Sequence, residues 1–326
     1  MIQYCDANGI ACEITGKVIV ATSEKELDGL EALAEHGRKN GVQVRKISPS
    51  ELAEIEPNAA GIAALHVPEA GIVDFGAVTR ALQSGITNRG AEVRTSAKVI
   101  SMVETDREVQ VELSGGDTLV ADLVVTCGGL HADRLAMHTN PELKERILAF
   151  RGEYFELAPD RRHLVNGLIY PVPDPRFPFL GVHLTRMIDG SIHAGPNAVL
   201  ALAREGYRWT SFSLGDMFEV AQFGGWWRLA ARHWPTGIGE VARSMSKRAF
   251  ARSLRRLVPE LTASDLVRAP AGVRAQAVAP SGDLLDDFVW SETQRVVSLI
   301  NAPSPAATAS LAIGHRIAAQ ALDHFN

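Results

Sequence analysis

The sequence predicts a mixed α/β protein, and two observations carry that expectation. Strand-like runs such as 13–21 (EITGKVIVA) and 123–127 (LVVTC) alternate with segments whose apolar residues recur at helical spacing, such as Leu27, Leu30, Leu33 and Ala34. Cap and turn residues stand at the joints between them.

Taken in chain order, residues 1–7 read as a helix stopped by Asn8-Gly9, and 13–21 as a strand. Ser23 and Glu26 make a capping-box pattern for a helix that Asn40-Gly41 ends, and Ser48-Pro49 starts another. Residues 62–67 form a strand, and Asp74 suits the N-cap of a helix ending near Gly90. Strands follow over 91–96, 99–104 and 109–113. Ser114-Gly115-Gly116-Asp117 is a hairpin turn into a strand over 119–127 (LVADLVVTC), which leads through Gly128-Gly129 to a helix from about His131. The unbroken apolar run LVVTC predicts a strand buried on both faces. Residues 147–194 are strand-rich, with a loop shaped by Pro171, Pro173, Pro175 and Pro178. Residues 199–257 read as helical, then 267–278, 284–290 and 295–300 as strands, and a loop from Pro303 opens an Ala-rich final helix.

The 326 residues are enough for about two domains at ~150 residues each. With 46% hydrophobic and 22% charged residues, the composition excludes a disordered or fibrous chain. A formal charge of -5 argues against general nucleic-acid binding. Cys5, Cys12 and Cys127 form no metal-type spacing, and so sparse and odd a set suits a reducing compartment. No apolar run reaches the ~18 residues that span a bilayer, and the opening MIQYCDANGI has no signal-peptide pattern. The expectation is a cytoplasmic protein without a bound metal.

Three segments could carry chemistry. The turn after LVVTC, at Gly128-Gly129, is either an ordinary strand-to-helix turn or one whose backbone N–H groups meet an anion. The run from Asn301 to Gly314 (NAPSPAATASLAIG) follows a buried strand with small residues and then a helix. It is either another tight turn or a place where a planar or anionic cofactor approaches closely. In AGVRAQA, Arg274 sits among small and apolar residues, where it either meets an internal carboxylate such as Asp283 or Asp286 or holds a substrate carboxylate.

Together GIVDFGAVTRAL, ADLVVTCGGLHADRLA, RGEYFEL, GLIYPVPDPRFPFLGVHLTR, HAGPNAV, AGVRAQA and NAPSPAATASLAIGH resemble the L-2-hydroxyglutarate oxidase/dehydrogenase family, FAD-dependent oxidoreductases of the D-amino-acid-oxidase type. The resemblance runs the length of the chain with the motifs in order. It implies FAD as cofactor and a Rossmann-like FAD-binding domain interleaved with a substrate domain built on a mixed sheet. On that division 1–20 is a junction, 21–90 and 141–270 belong to the substrate domain, and 91–140 and 271–326 belong to the FAD-binding domain. Gly128 and Gly129 would then lie along the ADP half of FAD and Val99 against its adenine. Ala302, Ser304, Pro305 and Ala306 would lie near the isoalloxazine and pyrophosphate, and Arg274 would meet a substrate carboxylate. His183 would be the polar group facing the flavin, as base, or else a histidine merely bonded at a strand end. His66, His131 and His193 are weaker candidates of the same kind.

The reaction implied is oxidation of an L-2-hydroxy acid, foremost L-2-hydroxyglutarate to 2-oxoglutarate, by hydride transfer, with oxygen or a quinone as final electron acceptor. Another enzyme of the same superfamily, acting on an amino acid or a glycerol phosphate, is the alternative. The family opens with a GxGxxG segment that is absent from this sequence. On the order of 60–80 residues, about a βαβ unit and a connection, are therefore expected to be missing. The readings are a misassigned start, a truncated gene whose product is a non-catalytic fragment, or a unit supplied by a separate chain. Trp209, Trp226, Trp227 and Trp234 fall in a stretch, 204–256, richer in Lys and Arg than in Asp and Glu. It is either a helical cap with a solvated basic face or a surface for peripheral contact with a membrane.

Overall fold

The computed structural model describes residues 1–173 and 181–324, and Pro175 and Pro178 of the proline-shaped loop lie outside the described residues. The helix α1 (Ile2–Ala7) ends at Asn8-Gly9 as its stop signal requires. The strand expected over 13–21 is two strands, β1 (Cys12–Ile14) and β2 (Lys17–Ala21). Gly16 between them takes a left-handed φ of 70° and turns the chain. Ser23 and Glu26 close their capping box ahead of α2 (Leu27–Lys39). After β3 (Arg45–Ile47), Ser48 and Glu51 close another on α3 (Pro49–Ile55). Beyond β4 (Ala63–Val67) and β5 (Gly71–Val73), the Asp74 carboxylate accepts the Ala77 N–H at 3.0 Å and caps α4 (Phe75–Thr87).

The expected strand over 91–96 does not form. Its residues are almost all exposed, and strand-like composition makes a strand only where an edge receives it. Three antiparallel strands, β6 (Val99–Glu104), β7 (Val109–Leu113) and β8 (Thr118–Ala121), make a small sheet with the predicted hairpin between the last two. The run 119–127 breaks at Asp122, so that β9 (Val124–Thr126) joins a different sheet. Val125 and Cys127 are exposed, contrary to the burial expected on both faces. A 3-10 turn (Gly129–His131) leads into α5 (Ala132–Met137).

The largest sheet carries β10 (Arg146–Leu157), β11 (Leu168–Pro171), β12 (His183–Arg186), β13 (Ile192–Gly195) and β14 (Val199–Leu200). Helix begins later than expected, after the loop 201–213, with α6 (Leu214–Gln222), α7 (Gly224–Met245) and α8 (Lys247–Leu254). The long β15 (Leu266–Val278) follows, then β16 (Val289–Glu292), β17 (Val296–Asn301) and α9 (Ser310–Asp323). The strand expected over 284–290 shrinks to its end, because Asn301 Nδ2 takes the Leu285 and Asp287 carbonyls at 3.1 and 2.8 Å.

The large sheet runs β14-β10-β13-β12-β11-β2-β4-β3, with β15 pairing along β10. Among the described residues its neighbouring strands are antiparallel except β11 with β2, and β16-β17-β9 forms a separate sheet in which β17 and β9 are parallel. One face of the large sheet is sealed by apolar packing: Val18, Ile169, Leu184 and Phe155 meet Phe250 and Leu254 of α8. The opposite face is covered at one end by α2, through Leu30 and Ala34 on Leu65 and Val172. The rest of that face bears polar and aromatic side chains.

A buried ion pair joins the sheets. Asp133, fully buried on α5, accepts from both guanidinium nitrogens of Arg204 at 2.6 and 2.9 Å and from the Ile147 N–H of β10 at 2.9 Å. Truncation of one partner leaves the other charge buried and uncompensated. Arg204→Ala is therefore expected to cost about 3–5 kcal/mol, read as a lowered denaturant midpoint. A midpoint unchanged from wild type would show that the pair does not hold this junction.

Candidate functional site

Two places in the fold have the geometry of a site, and a single strand links them. The first lies beyond the carboxyl ends of β9 and β17, where Val124, Val125 and Thr126 run parallel to Val296, Val297 and Ser298. Ligands of parallel sheets bind outside such strand ends. The turn after β9 needs both of its glycines. A Cβ on Gly128 would stand 2.6 Å from Leu135 Cδ1 and 3.2 Å from the Ala132 backbone, so its glycine lets α5 pack close. Gly129 has φ 53°, with open space where a Cβ would stand. The hydroxyl of Thr126 is buried there, with no hydrogen-bond partner among the described residues.

Beyond β17, which is buried along its whole length, residues 302–306 emerge as small, half-buried to exposed side chains. Ala302, Ser304, Pro305 and Ala306 thus border the same end of the sheet as Gly128 and Gly129. Close-approaching glycines, small residues and an orphaned hydroxyl fit an extended anionic cofactor such as FAD. Val99 lies on β6 opposite Leu113, half-buried against the Met102 cluster, in the neighbouring three-stranded sheet.

The second place is the open face of the large sheet. Pairing of β11 with β2 and β12 sets Tyr170 beside both strands. The Tyr170 and His183 rings stack with centroids 4.0 Å apart and planes 19° off parallel. The ammonium of Lys17 stands 5.3 Å from the Tyr170 ring centroid. His183 Nδ1 lies 3.0 Å from the Gly181 carbonyl, so its N–H donates there and Nε2 carries the lone pair. The His183 pKa is lowered to about 4, chiefly by burial; the Gly181 bond opposes this, and the nearby charges of Arg274 and then Lys17 contribute to the lowering. Burial also raises the Tyr154 phenol above its ordinary value, while Arg274 acts to lower it.

Arg274 is exposed on β15, opposite Phe150 of β10, and its field reaches both His183 and Tyr154. Of the carboxylates considered for it, Asp283 is engaged by Arg232 at 2.6 Å and by Ser281 at 2.6 Å. Of the remaining histidines, His193 shares the face of His183, its ring centroid 6.3 Å from that of Tyr154. His131 bonds Glu205 at 3.1 Å and His193 approaches Glu156 at 3.4 Å. His66 lies against Gly16, its pKa lowered by burial and then by Arg45. Lys17, Tyr170 and Tyr154 were not singled out from sequence. Lys17 stands in strict alternation with the buried Val18 and Val20, which marks it as a residue of the other face, but nothing local shows what that face meets.

β15 connects the two places. Ala275 and Ala277 pack with Ala132 of α5 and Ile300 of β17, while Arg274 projects into the field of His183. Among the described residues, no helix is long and apolar enough to cross a membrane.

Comparison with known proteins agrees with this architecture. The family model described as FAD dependent oxidoreductase matches residues 2–320. An L-2-hydroxyglutarate dehydrogenase of Indibacter alkaliphilus is 43% identical over 327 residues, covering 100% of this chain and 82% of that protein. One of Escherichia coli K12 is 45% identical over 314 residues, covering 96% of this chain and 74% of that one. Among solved structures, FAD-bound L-alpha-glycerophosphate oxidase from Mycoplasma pneumoniae superposes with a TM-score of 0.74 at 19% identity, over 97% of this chain and 73% of that one. L-proline dehydrogenase from P. horikoshii does so at 0.70 and 16% identity, over 97% and 74%. With a family match over nearly all of its length and relatives this close, the chain belongs to the FAD-dependent oxidoreductases, in the family of the L-2-hydroxyglutarate dehydrogenases.

Proposed function

We propose that this protein oxidises an L-2-hydroxy acid, foremost L-2-hydroxyglutarate, to the corresponding 2-oxo acid, 2-oxoglutarate. The observation that carries this reading is a neutral imidazole held beside a guanidinium on the open face of the sheet. Arg274 holds the C1 carboxylate and fixes the substrate's orientation. His183, with Nδ1–H held by Gly181, accepts the C2 hydroxyl proton at Nε2, and C2–O becomes a carbonyl as the C2 hydride departs with its electron pair. FAD, when bound, supplies the two-electron acceptor for that hydride. The residues that would hold it are Gly128 and Gly129, Ala302, Ser304, Pro305 and Ala306, and, at the adenine end, Val99. In this reading 91–140 and 271–326 form the cofactor domain and 21–90 and 141–270 the substrate domain, with β15 running from one into the other.

We place the protein in the cytoplasm, passing electrons to oxygen or to a quinone. Peripheral contact with the inner face of a membrane is supported by the exposed Leu214, Phe218, Trp227 and Trp234 of α6 and α7. Trp209 instead lies over Arg151 at 4.0 Å, and Trp226 packs inside with Leu229.

The reading is tested by mixing the FAD-loaded chain anaerobically with L-2-hydroxyglutarate. Loss of the oxidised flavin's absorbance with matching formation of 2-oxoglutarate is expected, and an unchanged spectrum would refute it. Arg274→Ala is expected to raise KM about 10- to 100-fold. Unchanged kinetics would remove its role. Since His183 must be neutral to accept the proton, kcat/KM should hold steady from neutrality downward and fall only below about pH 4. His183→Asn should abolish that acid limb and slow flavin reduction about 10²- to 10⁴-fold. A profile whose acid limb survives the substitution would assign the base elsewhere. Flotation with anionic vesicles at low salt tests the membrane contact, and protein that stays wholly unbound rejects it.

A further inference from the structure

Lys17 is the cation of the His183 cluster that the proposed chemistry has not used. It lies on β2, between Leu168 of β11 and Val67 of β4, and its ammonium stands over the Tyr170 ring that in turn stacks on His183. Its alternation with Val18 and Val20, both sealed in the apolar core, fixes it on the open face. Among the described residues no carboxylate lies within ion-pair distance of it, and burial alone lowers its pKa from the ordinary lysine value. An ammonium withdrawn from water with only an aromatic ring beneath it is poorly compensated, and an incoming anion would restore what burial removed. Arg274 acts on His183 from β15, whereas Lys17 acts on it from β2, which lies across β11 from the strand of His183. Two cations from separate strands thus bear on one neutral imidazole.

We infer that Lys17 is a specificity-determining residue that receives the second carboxylate of the substrate, so that the site selects 2-hydroxy dicarboxylates over 2-hydroxy monocarboxylates. This rests on the 2-hydroxy-acid reading of the same site. With C1 held by Arg274 and the C2 hydroxyl at His183, the far end of the substrate extends across Tyr170 to Lys17. A monocarboxylate would leave that ammonium buried and unmatched. A site built around a charged partner rejects the analogue lacking it more strongly than a merely apolar pocket does.

The test compares L-2-hydroxyglutarate with L-2-hydroxypentanoate, which has the same carbon chain but a methyl group in place of the distal carboxylate. Anaerobic flavin reduction is followed for wild type, Lys17→Met and Lys17→Arg. Lys17→Met should lower kcat/KM for L-2-hydroxyglutarate about 30-fold or more, through KM, and change L-2-hydroxypentanoate by less than about twofold. Lys17→Arg should restore most of the preference. As a readout independent of turnover, calorimetry should show that Lys17→Met weakens glutarate binding but not pentanoate binding. Equal losses for both acids, or an undiminished preference for the dicarboxylate, would overturn the inference while leaving the proposed reaction standing. A wild type whose flavin neither acid reduces would overturn the reaction and this inference together.

Discussion

Asp133 is the point on which the arrangement turns. It is the second residue of the helix that follows the Gly128-Gly129 turn, yet both of its oxygens face inward, to Arg204 and to the backbone of Ile147 where β10 starts. Arg204 also donates to the Leu130 carbonyl at 2.8 Å, and its own N–H meets Asp216 at 2.8 Å. Arg134, the next residue on the helix, binds Asp216 and Glu219 of α6. The strand-end turn, the start of the long β10–β15 ribbon and the helices over 214–245 are therefore held by one charged network. Such a network adds little net stability over an apolar core, but it fixes one arrangement of parts that each carry some of the site.

The large sheet divides its labour between its faces. Val18, Ile169, Leu184 and Phe155 pack against α8 and hold the strands in register, which leaves the intervening residues free to be Lys17, Tyr170 and His183. Because side chains alternate along each strand, a one-residue slip of β11 or β2 would bury Tyr170 and Lys17 and expose the core. The chemistry of one face is thus guaranteed by the apolar packing of the other. Glu56 reinforces the register. Its buried carboxylate accepts the Asn166 and Gly167 N–H groups at 2.9 and 2.7 Å, just ahead of β11.

What could be read from sequence was what is decided locally. The Ser23 and Ser48 capping boxes, the Asp74 cap and the turn over 114–117 involve residues three or four apart, and all four form. The strand-turn-helix at Gly128-Gly129 was legible for the same reason. Expectations failed where a partner had to be supplied from afar. Among the described residues, 91–96 have strand composition but join no sheet, and β9 is an edge strand paired with β17 alone, with Val125 exposed. The Asp133–Arg204 pair spans 71 residues, and the stacking of Tyr170 on His183 depends on β11 lying between β2 and β12. Among the four histidines considered, sequence gave only a preference; the fold pairs His131 and His193 with carboxylates and leaves His183 beside two cations.

The long β15 also serves as a ruler. Arg274 and Ala277 are three residues apart on it, and an extended strand rises about 10 Å over that interval with little freedom to stretch or bend. Ala277 is packed against Ile300 at the end of the strand from which 302–306 emerge, while Arg274 bears on His183. The spacing between the proposed anion anchor and the proposed cofactor loop is therefore built into covalent geometry. Neither end can drift without moving the other, so in the proposed reaction one rigid strand sets the distance between the two reacting partners.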